Sequence, residues 1–159
     1  RNYKEKLRFY QQFMSIKPKK WFSDQDVLKF LCPNTPFTTN PNEKVTVEEF
    51  IEYVRNDPEL AYFRIEHPAY GFIGHIGLDS IDLNYMSFFT GCVIGEKKYW
   101  GKGIGTTAEK MVLSRAKELG FKSAKASVHE DNIVSISILT KQLGMGISEG
   151  NQVNFTKAL

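Results

Sequence analysis

A chain of 159 residues is long enough for one domain with a real core and too short for two ordinary ones. Hydrophobic residues make up 42% of it and no apolar run approaches the length of a membrane span, so the composition argues for a globular chain without a membrane partner. Lys and Arg number 21 against 18 Asp and Glu, and an excess of +3 is too small to suggest nucleic acid, although it suits an anionic ligand at one local site.

In chain order, Leu7 to Phe13 reads as an opening strand. Ser23 followed by Asp26 marks a helix start, with Val27, Leu28 and Leu31 as its apolar stripe and Cys32-Pro33 as its end. Pro33 to Asn42 is a polar, Pro-rich loop. Thr46 and Glu49 form a second capping box, behind which Val47, Phe50, Ile51 and Val54 share a helical face until Asn56-Asp57-Pro58. Strands follow over Leu60 to Glu66, Gly71 to Leu78 and Met86 to Ile94. Turns at His67-Pro68 and Asp82-Leu83-Asn84 predict an antiparallel meander.

From Gly103 the period changes. Ala108, Met111, Val112, Ala116 and Leu119 are spaced as the buried face of a helix that closes at Gly120. Phe121 to Val128 reads as a strand. Ile136, Leu139 and Leu143 mark a helix ending at Gly144, and Gln152 to Ala158 a last strand. The order predicts an α+β fold: one domain over residues 1–159, with a mixed, mostly antiparallel sheet and helices on both faces. Cys32 and Cys92 lack metal-ligand spacing and are expected as thiols in the cytoplasm, with no metal site. The chain opens on Arg1, and we read no secretory leader in its first residues.

The most informative stretch is Gly95-Glu-Lys-Lys-Tyr99-Trp100-Gly101-Lys102-Gly103-Ile104-Gly105-Thr106, between a strand and an amphipathic helix. Alternating glycines let backbone approach a ligand and adopt positive φ. The first amides of the following helix lack intrahelical partners, and with the helix dipole they favour phosphate oxygens. A Walker-type loop needs four residues between its first Gly and Gly-Lys, then Ser or Thr. Here five separate Gly95 from Gly101 and Gly103 follows Lys102, so that reading fails. A dinucleotide fingerprint needs G-x-G-x-x-G early in a βαβ unit, whereas this chain has G-x-G-x-G after a meander. On these residues alone, a turn that merely lets strand and helix pack stays open as the alternative.

The segment from Leu60 to Met145 resembles the GNAT superfamily of N-acetyltransferases, closest to the branch with the ribosomal-protein and polyamine acetyltransferases. That family's Q/R-x-x-G-x-G/A motif falls on Trp100 to Gly105, with Trp in the place of Gln or Arg. Its V-x-x-x-N-x-x-S signature matches Val128, Asn132 and Ser135, and Trp21 to Leu31 is similar to the branch's N-terminal helix. The resemblance implies that acetyl-CoA lies in a V-shaped opening between the strands ending at Ile94 and Val128. Backbone groups of Val93 and Ile94 would pair with the pantetheine arm. Amides from Lys102, Gly103, Ile104, Gly105 and Thr106 would hold the pyrophosphate, and Asn132, with Ser135 beside it, would meet the arm from the other side. An amine would attack the thioester directly in a ternary complex.

Two positions depart from the family pattern. Its usual Tyr acid, four residues before the closing Gly, falls on Thr140, beside Leu139. The interval from Ser135 to Gly144 is also one residue longer than the pattern, which implies a shifted or bulged helix. The strand Glu that serves many members as base falls on Phe89. His75 and Glu66 are the substitute proton handlers, since an imidazole has suitable intrinsic acidity; a structural role for His75 stays open. Lys97 and Lys98 could meet the CoA phosphates. A primary amine (a protein N-terminus, a polyamine or another small amine) is the expected acceptor, and a homodimer is allowed. A catalytically poor acyl-CoA-binding module of the same fold is the alternative.

Overall fold

The computed structural model describes Trp21 and residues 24–28, 56–148 and 153–159. The strand read over Leu7 to Phe13, the loop from Pro33 to Asn42 and the capping box at Thr46 lie outside the described residues. Of the first expected helix, α1 (Gln25–Leu28) is described, its start bound by the Asp24 carboxylate, which accepts from the Asp26 N–H at 3.0 Å.

The meander forms as its alternation and turn residues predict. β1 (Ala61–His67) and β2 (Gly71–Asp82) pair antiparallel, as do β2 and β3 (Ser87–Ile94). β2 runs four residues past the expected end, through an irregularity between Asp79 and Asp82 that sets Ser80 at φ +47°. The chain then returns through α2 (Ile104–Glu118) to β4 (Ser123–Val128), which lies parallel to β3. β4 starts at Ser123 rather than Phe121, whose ring packs edge-on against Phe88 at 5.3 Å. β6 (Val153–Ala158) adds antiparallel to β4, and β5 (Gly146–Ser148), which the sequence reading did not anticipate, pairs with β6. The sheet order is β1-β2-β3-β4-β6-β5. This is the expected α+β arrangement, a mixed sheet with one parallel pair at its centre.

Strand alternation sends Thr90, Cys92 and Ile94 of β3 toward α2, where a Cβ on Gly105 would come within ordinary contact of Cys92 and Ile94. Ile76, Leu78, Phe88, Leu113, Ala116, Ala124 and Phe155 belong to the buried core. α2 packs on the expected face at Ala108, Val112 and Ala116, but the face is centred differently at its edges. Its buried residues are Glu109, Leu113 and Ala116, while Met111 and Leu119, expected inside, are 69% and 57% exposed. Beyond β3 a substituent on Gly95 would strike the indole of Trp21, which is 2% exposed and edge-on to Phe72 at 4.9 Å. Side chains alternate along the ladder, so Trp21 covers the face opposite α2 and the sheet has helical elements on both sides.

α3 (Ile133–Ser137) continues into a π-turn over Ile138–Gln142, where the Leu143 N–H reaches back five residues to the Ile138 carbonyl at 3.0 Å. The extra residue between Ser135 and Gly144 is taken up by this wider turn. Leu139 and Leu143 consequently both stay buried.

Candidate active site

The site is built by two parallel strands that part. β3 and β4 pair at Ser87 with Ser123, Phe88 with Ala124 and Phe89 with Lys125, and no further. Past that point Ala126 to Val128 remain paired to β6, and Thr90 to Ile94 remain paired to β2. Between the two stretches the sheet opens into a V with Thr90 at its apex.

The N–H of Gly95 donates to the Ile73 carbonyl at 2.9 Å, continuing the register in which Gly74 opposes Ile94 and His75 opposes Val93. In an antiparallel ladder alternate residues turn their backbone groups to the same neighbour. Val93 and Gly91 therefore face β2, and the opening receives the backbone of Ile94, Cys92 and Thr90. Of the two residues expected to pair with a ligand's arm, Ile94 is so directed and Val93 is not. The Ile94 carbonyl already accepts from Trp100 Nε1 at 2.7 Å, which ties the glycine turn to the end of β3.

At the turn, Gly101 and Gly103 stand at φ +71° and +76°, and a Cβ on either would project into open space. Gly103 caps α2. Thr107 is the first residue whose N–H finds a helical carbonyl, that of Gly103 at 3.0 Å. The N–H groups of Ile104, Gly105 and Thr106 are the orphan donors of a fifteen-residue helix with no acidic residue in its first turn. Lys102 is exposed beside them, its ammonium 5.4 Å from the Tyr99 ring. Lys98 sits 4.0 Å over the Tyr70 ring. Lys97, expected near phosphate, is instead held by Asp24 at 2.9 Å and Asp26 at 2.6 Å. Gly95, which a Walker reading would use, serves the packing of Trp21, whose Nε1 donates to Glu96 at 3.1 Å.

On the far wall Asn132 lies four residues past the end of β4 and caps α3. Its Oδ1 accepts from the Ser135 N–H at 3.1 Å, leaving the side-chain NH₂ as the group able to donate into the opening. Ser135 is thus held at the helix start. Open space over two positive-φ glycines, three orphan amides, an unpaired strand edge and Asn132 opposite fit a long arm ending in a pyrophosphate.

The proton handlers are less favourably placed. His75 is buried, 7% exposed, and burial lowers its pKa to about 4, so the imidazole is neutral at pH 7 and a weak proton acceptor. Glu66 is exposed, pairs with Arg64 at 2.6 Å, and lies on β1, two strands away from β3. Thr140 turns its hydroxyl back to the Ile136 carbonyl at 2.8 Å. Glu109 escaped the sequence reading. It is 5% exposed, and both its oxygens accept from the Thr90 hydroxyl, at 3.1 and 2.9 Å. Burial raises its pKa to about 7 against the opposing effect of that hydrogen bond. Burial, and secondarily the Glu109 charge, pushes the Cys92 thiol up, which removes it as a nucleophile. The signal for Glu109 was present: with Leu113 and Ala116 it forms an i, i+4, i+7 stripe that adjoins the expected face and shares Ala116 with it.

Among the described residues no cluster of three or more His, Cys, Asp or Glu could hold a metal, and no helix is long and apolar enough to cross a membrane.

Two parallel strands that part, with a helix amino end at their mouth, define the class of fold. The family model described as "Acetyltransferase (GNAT) domain" matches residues 13–145, and the chain belongs to the GNAT acetyltransferases. Among solved structures, a domain from Methanocaldococcus jannaschii DSM 2661 is similar at 25% identity and TM-score 0.69, covering 88% of each chain. The microcin C7 self-immunity acetyltransferase MccE, solved with acetyl-CoA and AMP, is 17% identical at TM-score 0.70, covering 96% of this chain and 88% of that one. Mutant forms of the spermidine/spermine N-acetyltransferase SpeG from Vibrio cholerae are 16% identical at TM-score 0.62, covering 71% and 74%. No curated protein matches the chain in sequence.

Proposed function

We propose that the chain transfers the acetyl group of acetyl-CoA to a primary amine by direct attack in a ternary complex. The observation that carries this reading is the opening beyond Phe89 and Lys125, with the orphan amides of Ile104, Gly105 and Thr106 at its mouth. Those amides and Lys102 hold the pyrophosphate, the edge of β3 at Ile94 and Cys92 pairs with the arm, and Asn132 donates from the other wall. Alignment of amine and thioester can supply about 7–11 kcal/mol of barrier reduction, so the family's Tyr and strand Glu are not both required. Two cysteines without metal-ligand spacing and a modest charge suit a cytoplasmic enzyme.

Melting with acetyl-CoA, CoA, NAD and ATP tests the binding. Native-state ligand at a hundredfold excess over Kd stabilises by about 2.7 kcal/mol, so the first two raise Tm and the latter two do much less. Equal shifts from all four defeat the assignment. Phe89 and Thr140 at the two proton-handling positions favour a second reading, an acyl-CoA-binding module of the same fold. Thiol release with a panel of N-terminal peptides, polyamines and small amines separates the two: binding without release for any amine selects the module.

A further inference from the structure

We propose that Glu109, reached through the Thr90 hydroxyl, takes up the proton that the attacking amine must lose; this rests on the transferase reading above. Thr90 is the first residue of β3 past the last parallel pair, so its backbone stands at the apex of the opening. Its buried hydroxyl lies just beneath, on the α2 side, against the Glu109 carboxylate. An arm that runs along β3 from Ile94 to Thr90 covers four residues, about 13 Å at strand rise, which brings a thioester to that apex from phosphates held at the mouth.

The carboxylate is otherwise costly where it stands. It is buried in an apolar helix face beside Leu113 and Ala116, and it shares the single hydrogen of Thr90 between its two oxygens. Among the described residues, the groups that bear on it are Thr90 and the Cys92 thiol, both from β3, and no Lys or Arg pairs with it. An aliphatic side chain would pack there at less cost. Because Thr90 donates to Glu109, the lone pairs of its oxygen are free to accept from an ammonium. Burial brings the carboxyl to about 7, where it can take and return a proton near neutrality.

The step balances as follows. The acceptor ammonium gives one proton to Thr90 Oγ1 while the hydroxyl proton passes to Glu109. The freed nitrogen lone pair forms the N–C bond to the thioester carbonyl, and the C–S bond breaks. The second nitrogen proton ends on the departing thiolate, and Glu109 returns its proton to solvent after the amide leaves.

The test uses Glu109→Gln, Thr90→Val and Thr90→Ser, with kcat and KM measured from pH 6 to 9 on an amine that the parent acetylates. The Tm shift with acetyl-CoA serves as the check on folding and binding. Glu109→Gln and Thr90→Val are expected to lower kcat about ten- to hundredfold at pH 7, with KM for acetyl-CoA within about twofold. The rise of kcat through about pH 7 is lost in both, and Thr90→Ser retains it. Parent-like kcat and an intact acidic limb in Glu109→Gln overturn the relay and leave the carboxylate as a tie between helix and sheet. Should Glu109→Gln not fold, equal rates for Thr90→Val and Thr90→Ser overturn it instead. A parent that binds acetyl-CoA but acetylates no amine fails earlier, at the transferase reading, and takes the relay with it.

Discussion

At φ +76° Gly103 stands in the left-handed region, where a side chain costs about 1–2 kcal/mol and a β-branched one more. The same residue faces open space where phosphate would sit. Gly103→Val is therefore expected to abolish the acetyl-CoA-induced Tm shift while lowering the unliganded Tm by only a few degrees. A retained ligand shift would return the turn to a purely structural role. The sequence made this residue legible because alternating glycines before an amphipathic helix have few other uses. His75 was chosen from its intrinsic acidity, and burial, which a single sequence does not print, takes it out of the neutral range. Glu109 was hidden because Met111 and Leu119 are apolar yet exposed, which drew the expected face away from it. Their hydrophobicity outweighed the shorter stripe that actually packs.

Among the elements, β3, the turn and α2 act as one unit, fastened by three contacts, two of them from elsewhere in the chain and one within it. Trp21 seals Gly95, the Gly95 N–H continues the ladder to Ile73, and the Trp100 indole holds the Ile94 carbonyl. Gly95→Ala forces a methyl group into the Trp21 ring, and overpacking of this kind typically costs about 1–3 kcal/mol. The expected result is a lower Tm together with weaker acetyl-CoA binding, although Gly95 itself touches no phosphate. A variant with parent stability would show that the indole can move aside without cost. The longer elements of the described part of the chain were readable, because periods and turn residues agree there. β5 was not readable: three residues are too few to show alternation. The one-residue surplus before Gly144 was visible as a count, and its resolution as a π-turn needed the backbone.

For the whole molecule, two buried groups give opposite pH dependences. Glu109 titrates near 4.5 when unfolded and about 7 when folded, so the native state binds more protons between those values and stability falls as pH rises through them. His75 titrates near 6.5 unfolded and about 4 folded, so stability falls as pH drops from 6.5 to 4. Each gap corresponds to about 3 kcal/mol. From pH 4.5 to 6.5 the two slopes oppose, and the contribution of this pair is nearly flat. Denaturation of Glu109→Gln should unmask the histidine, with stability rising by about 3 kcal/mol from pH 4 to 6.5. A flat profile in that variant would show that His75 is not buried in solution. The bond between Trp100 and Ile94 has a further use at this scale. Of the two tryptophans in the chain, Trp21 is sealed and Trp100 is 44% exposed beside the glycine turn. The protein thus carries its own fluorophore at the mouth of the site. A ligand seated there should dry the Trp100 indole and shift its emission to shorter wavelength over the constant background of Trp21, giving an unlabelled optical titration.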